Sequence, residues 1–247
     1  MLKGKYNHIT FEDIKSNEEI NEYIEASNNV LGVKGFTEHG LRHVTYTAKT
    51  AKNILLELGF DFRLAELAAI AGWTHDIGNA VNRRHHGLVA ADMLFTLLNK
   101  MGMPPNEISY IIGAVGNHEE EIGTPISPVA AALIVADKSD SHHSRVRAKE
   151  NRVDPDDIHD RVNLAIKRNR LTVCKEKKRI RQMISMDKQS SVLEYLQIYM
   201  SRVLITEKAA QFLGCSFELM INGMIINQKK KAIECDLETD EKVVSEE

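Results

Sequence analysis

"GWTHDIGN", residues 72–79, closes an apolar helix on His75 and Asp76, side by side. Leu64, Leu67, Ala68 and Ala71 recur at helical spacing and carry the stripe into His75, so the pair arrives on a face that turns inward. An uncompensated buried polar group costs about 1–3 kcal/mol, and a bare charge far more. Partners must therefore lie elsewhere in the chain.

Other apolar stripes supply candidates when each is extended by one helical step. Ile108, Ile111 and Val115 step on to His118, and Ala130, Leu133 and Ile134 step on to Asp137. Leu41, Val44, Ala48, Ala51, Leu55 and Leu58 form another stripe, with His43 on its flank, about 110° from its centre. His39 falls nearly opposite that stripe and reads as solvated. His85 and His86 open a further helix, and periodicity does not choose between them. A single histidine on an apolar face is ordinarily a satisfied core residue, but several ligand-type side chains that end separate inward stripes call for a common partner. A divalent metal is that partner, because imidazole and carboxylate suit zinc, iron, manganese, cobalt or nickel and the cation offsets the desolvation of the carboxylates.

The rest of the chain sets bounds on this reading. The 247 residues are 43% hydrophobic and 27% charged, with a net charge of -3, which is the composition of a globular protein with no global case for nucleic acid or membrane binding. Cys174, Cys215 and Cys235 are odd in number, widely spaced and without a C-x-x-C pair, so a disulfide framework and a thiolate zinc site are both disfavoured. The start lacks an apolar signal segment and no apolar run approaches the roughly 18 residues of a membrane span. A reduced, cytoplasmic location is expected.

Residues 10–149 read as successive helices. Ser16 caps the first, through Leu31; Thr37 caps the second, which Gly59 ends; a third leads into His75; a fourth runs from His86 to Met101; a fifth carries Ile108 to Val115; and Ser127 with Pro128 opens a sixth. Beyond them, "VNLAIKRNRLTV" (162–173) and "KKRIRQMISM" (177–186) read as strands, residues 190–214 as a long helix, and "MIIN" (224–227) as a closing strand. The expected fold is mainly α, a helical bundle with a small C-terminal α+β (ββαβ) module. Its divisions are an N-terminal helical extension over 1–36, the site-bearing bundle over 37–150, the α+β module over 151–231 and an acidic disordered tail over 232–247. Residues 161–181 hold nine Lys or Arg against one acid, but without interleaved aromatics they read as a solvated face rather than a nucleic-acid surface. A small sheet of this kind leaves apolar surface, and a homodimer is the expected cover.

His43, then "HD" at His75 and Asp76, then His86, His118 and Asp137 follow the order H…HD…H…H…D, and in this the chain resembles the HD-domain superfamily of metal-dependent phosphohydrolases. "HHGLVAA" (85–91) resembles the H-G-x-V-x-A stretch of the bacterial diadenosine-tetraphosphate hydrolases, which favours His86 over His85, and "VADKSD" (135–140) resembles their A-D segment. "HDIGN" has Asn79 where HD-GYP phosphodiesterases carry lysine, and no G-Y-P follows His118, which speaks against cyclic-di-GMP. The resemblance implies a first metal on His43, His75, Asp76 and Asp137, with Asp76 bridging to a second on His86 and His118. Two divalent ions are implied, from among Mn, Fe, Co, Ni and Mg.

Asp76 and Lys138 are the expected catalytic residues, and Arg83, Lys138 and Arg145 the expected phosphate binders, since arginine's fork suits phosphate. The expected function is hydrolysis of a phosphate ester or anhydride, in a small molecule of nucleotide type, by metal-activated hydroxide. Two alternatives belong to other classes: a degenerate HD domain acting as a nucleotide- or metal-dependent regulator, and an RNA-associated phosphoesterase.

Overall fold

The computed structural model describes residues 6–147 and 157–227. The expected acidic tail and the expected division near residue 150 lie outside them. Two N-terminal helices, α1 (Phe11–Lys15) and α2 (Glu18–Val33), lead into α3 (Leu41–Leu58) and α4 (Phe62–Thr74). A short 3₁₀ turn, Ile77–Ala80, separates these from α5 (His86–Met101), α6 (Pro105–Gly116) and α7 (Pro128–Lys138). The described elements that follow are α8 (Ile158–Ala165), β1 (Ile166–Cys174), β2 (Arg179–Met186), α9 (Val192–Phe212), β3 (Ser216–Ile221) and β4 (Met224–Ile225). Among the described residues no helix is long and apolar enough to cross a membrane.

Helices α4 and α7 are the centre of the bundle. Every residue from Ala65 to Thr74 and from Val129 to Lys138 is buried, so neither has a solvent face, and α3 and α6 pack on both. Their small residues make this possible, because alanine and glycine let neighbouring backbones approach closely. Ser127 caps α7 by accepting from Ala130 N, with Pro128 at the first helical position, and Gly59 closes α3 in the left-handed conformation at φ 86°, both as the sequence predicts.

Some expected boundaries move. Ser16 ends α1, and Asn17 instead caps α2 by accepting from Ile20 N. Thr37 caps nothing, since α3 starts at Leu41 after Gly40. The first four residues of "VNLAIKRNRLTV" are helix α8, not strand, because Asp157 caps a turn whose Val162 and Ala165 pack inward. The closing strand is longer and earlier than expected: Ser216–Ile221 forms β3, and "MIIN" supplies only the two residues of β4.

The sheet has the order β1-β2-β3-β4, with β1 antiparallel and β3 parallel to β2, so α9 is a crossover between parallel neighbours. Alternate residues Ile180, Gln182 and Ile184 of β2 and Phe217, Leu219 and Ile221 of β3 face inward. Helix α9 packs against β3 on one side and α7 on the other, and a single cluster of buried apolar side chains runs from Ile9 to Ile221. Helix α9 thus covers one face of the sheet, while its own Leu193, Met200, Leu204 and Phe212 stay exposed. Four of the nine basic residues of the run 161–181 are in ion pairs: Lys167 with Asp187, Arg179 and Arg181 with Glu218, and Arg161 with Glu194.

Candidate metal centre

Two glycines bring the site together. A Cβ on Gly72 would sit 2.8 Å from Ala48 Cα, so α4 lies against the α3 backbone and its C-cap His75 reaches His43. A Cβ on Gly78 would sit 2.1 Å from His86 O, so the turn after Asp76 seats on the start of α5 and Asp76 reaches His86. The last turn of α7 delivers Asp137, and the end of α6 delivers His118.

The result is a buried cluster. His43 Nε2 stands 3.2 Å from His75 Nε2, 3.4 Å from Asp137 Oδ1 and 3.6 Å from Asp76 Oδ2. His75 Nε2 is 3.3 Å from Asp76 Oδ2 and 3.7 Å from Asp137 Oδ1. On the other side of Asp76, Oδ1 is 3.2 Å from His86 Nε2 and 3.9 Å from His118 Nε2, which are themselves 3.0 Å apart. The two Asp76 oxygens therefore face different pairs of histidines. Three groups, His43–His75–Asp76, His75–His118–Asp137 and Asp76–His86–His118, each bring their ligand atoms within 4.8 Å of one another.

The outward nitrogen of each ring is held by an acceptor. His75 Nδ1 donates to Gly72 O (3.0 Å), His118 Nδ1 to Val115 O (2.6 Å), His86 Nδ1 to Arg83 O (2.9 Å), and His43 Nδ1 to Asp140 Oδ2 (2.7 Å). A carbonyl can only accept, so these bonds place the proton on Nδ1 and leave the Nε2 lone pair aimed at the centre. Two facing lone pairs at 3.0–3.2 Å repel unless a cation or a proton lies between them. Asp76 Oδ2 is buried and has no hydrogen-bond partner. This donor set of imidazole nitrogen and carboxylate oxygen fits a divalent transition metal.

Protons and ion pairs offset the buried charges of the cluster. Burial pushes the Asp76 and Asp137 carboxyls upward, but His75 and His86 around Asp76, and Lys138 and His43 around Asp137, hold both well below the carboxylate range. Burial lowers His86, yet its bonds to Asp76 and Glu119 outweigh that and raise it to about 9. His118, lowered by burial and then by His86 and His75, falls to about 3 and stays neutral.

The structure brings His43, His75, Asp76, His86, His118 and Asp137 together. His86 is buried in the cluster, whereas His85 is exposed at a left-handed φ of 59°. Arg83 reaches the rim, with Nη1 3.5 Å from His86 Nε2. Lys138 Nζ lies 2.7 Å from Asp137 Oδ2 and 3.1 Å from Glu120 Oε1. Arg145 departs from its expected role: it is 1% exposed and points inward, with Nη1 donating to Asp140 O and Nη2 to His39 Nε2. His39 is buried, not solvated, because it precedes α3 and helical phase does not extend to it.

The side chains that support the cluster carry no signal in the sequence pattern. Asp140, which fixes His43, lies past the end of α7, where helical phase says nothing. Glu119 Oε2, 3.2 Å from His86 Nδ1, follows His118 directly and was hidden in the run "HEEE". Asn79, where a lysine was missed, donates Nδ2 to Asp76 Oδ1 at 2.9 Å and so orients a cluster carboxylate.

Comparison with known proteins gives the frame for this cluster. No curated protein matches the chain. Among solved structures, the crystal structure of a predicted HD superfamily hydrolase from an uncultured Thermotogales bacterium is 21% identical, over 50% of this chain and 67% of that one, with a TM-score of 0.41. Residues 40–141 match the family model of the HD domain. That span holds all six clustered side chains, so the part of the chain that carries the cluster is the part that is similar to the HD domain.

Proposed function

We propose that the protein is a metal-dependent phosphohydrolase acting on a phosphate ester or anhydride of a nucleotide. The observation that supports this most is the convergence of four Nε2 lone pairs on Asp76, whose Oδ2 is otherwise unsatisfied. His43, His75, Asp76 and Asp137 would hold one divalent ion, and Asp76, His86 and His118 a second. When bound, such ions supply a Lewis acid for the phosphoryl oxygen and acidify a coordinated water. The remaining tasks fall to the chain. Arg83 presents a guanidinium to the substrate phosphate at the edge of the cluster. Lys138 neutralises Asp137 and sets positive charge beside the reacting phosphate. Asp140, Glu119 and the carbonyls of Gly72, Val115 and Arg83 keep each imidazole in the tautomer that faces inward.

The test strips the purified protein with chelator and reloads it with Mn, Fe, Co, Ni or Mg. A panel of mono-, di- and cyclic nucleotides is then assayed for phosphate release or ester cleavage. Activity should return with at least one metal and vanish on chelation. A protein that takes up no more than traces of metal, or hydrolyses no phosphate ester or anhydride under any of these ions, overturns the reading.

A further inference from the structure

Beside the cluster lies a cavity of about 250 Å³ whose walls come almost wholly from outside residues 40–141. Of its lining side chains Arg83 alone falls inside that span. The cavity meets the cluster at two places. His39 lines it and stands edge-on to His43, with ring centroids 5.3 Å apart. Arg83 lines it and approaches His86. His39 and Arg83 thus form the wall between the cavity and the cluster, and the cavity is also lined by His159 of α8 and Tyr199 and Arg202 of α9.

The far wall is fixed in position. Tyr199 Oη donates to Asn163 Oδ1 at 2.8 Å, which sets the ring, and the Arg202 guanidinium lies 5.2 Å from that ring's centroid. Arg202 Nε pairs with Glu120 at 3.2 Å, and its terminal nitrogens have no hydrogen-bond partner among the described residues. Glu120 also pairs with Lys138, which pairs with Asp137. On the near side Arg83 lies 5.5 Å from the centroid of Phe36. Aromatic faces with a flat row of N–H donors suit a planar ring that carries acceptor atoms, and arginine beside a metal cluster suits phosphate. The volume is just below the ordinary range of ligand clefts, about 300–1,000 Å³, which suits one nucleotide rather than two.

We infer that α8 and α9 build the specificity wall of the substrate site, and that the cavity takes the base of a single nucleoside monophosphate with Tyr199 and Arg202 as its recognition residues. The orientation, phosphate toward Arg83, rests on the phosphohydrolase reading. The HD segment then supplies the chemistry, and the residues around it choose the substrate.

Equilibrium titration of the full chain, loaded with Mn, tests this with two ligands that have no scissile ester, the methylenephosphonate analogues of guanosine monophosphate and of ribose 5-phosphate. The guanosine analogue should bind about tenfold or more tighter, as expected of base stacking on an aromatic side chain. Arg202→Gln and Tyr199→Leu should each remove most of that gain and leave the affinity for the ribose analogue unchanged. His159 is exposed, so His159→Ala should keep the fold and still reduce the gain. No base-dependent gain in the wild type, or a gain that survives all three substitutions, overturns the wall. A wild type that binds neither analogue overturns it as well, and the metal content of the same sample then decides whether the phosphohydrolase reading falls with it.

Discussion

Each imidazole of the cluster is told which nitrogen to protonate by an acceptor behind it, and this is where single substitutions should act most sharply. His86 and His85 are adjacent but not equivalent. His86→Ala removes one of the inward Nε2 donors and should abolish hydrolysis and lower metal content, whereas His85→Ala, on an exposed side chain, should leave both near wild type. Assay and elemental analysis of the two variants check this, and reversed effects would shift the ligand assignment by one residue. Asp140→Asn should keep the shape but weaken the hold on His43 Nδ1, with a cost of about 10–100-fold in metal affinity, read by competition with a chelator dye. Proton linkage gives a further expectation. In the ion-free protein His86 is raised to about 9 and so carries a proton at neutral pH, while His118 at about 3 does not. A cation that takes His86 Nε2 must displace that proton, so metal affinity should rise with pH up to about 9 and level off above it. Because His43 is raised as well, by its bonds to Asp137 and Asp140, calorimetry in two buffers of different ionisation enthalpy should find net proton release on metal binding near pH 7. Affinity independent of pH between about 6 and 8 would contradict it.

Within single elements, the close approach of α3 and α4 depends on Gly72, where a methyl group would meet the Ala48 backbone at 2.8 Å. Gly72→Ala should cost about 1–3 kcal/mol by overpacking and should also lower metal affinity, since it pushes His75 away from His43. Thermal unfolding and metal titration on one sample check both parts; a variant as stable and as tightly loaded as wild type would mean that the two helices adjust freely. This scale also shows what the sequence made legible. Helices with a full stripe and a chemical stop, such as α3 ending at Gly59 or α7 opening at Ser127 and Pro128, lie where periodicity and capping put them. Clustered side chains on or one step beyond such stripes, His75, His118 and Asp137, were legible for the same reason. His39, Asp140 and Arg145 were not, because they lie before α3 or after α7, where no period relates them to a buried face. The strand reading of residues 162–165 failed because four residues with two apolar positions fit either period, and the Asp157 cap decides for helix.

For the molecule as a whole, the C-terminal sheet and α9 are part of the support of the metal cluster. Gln182 of β2 donates Nε2 to Ser139 O at 3.1 Å, and Asn169 of β1 donates to the carbonyls of Ser139 and Ser141. These carbonyls end the helix that carries Asp137 and Lys138, so the sheet satisfies polar groups that the end of α7 would otherwise leave buried and unpaired. Tyr195, 2% exposed, and Arg202 with its bond to Glu120 tie α9 to the same region. Truncation after Lys149 would remove all of these contacts together with the cover of α7. The shortened chain should therefore associate and lose metal, even though residues 40–141 retain every clustered side chain. Gln182→Leu in the full chain is the gentler form of the test: it leaves Ser139 O short of one donor, and its cost should be about 1–3 kcal/mol, with a measurable fall in metal affinity. Light scattering and elemental analysis of the truncated chain, beside unfolding of the Gln182 variant, decide between two architectures. A truncated protein that stays monodisperse and fully metal-loaded would show that the HD bundle holds its cluster alone.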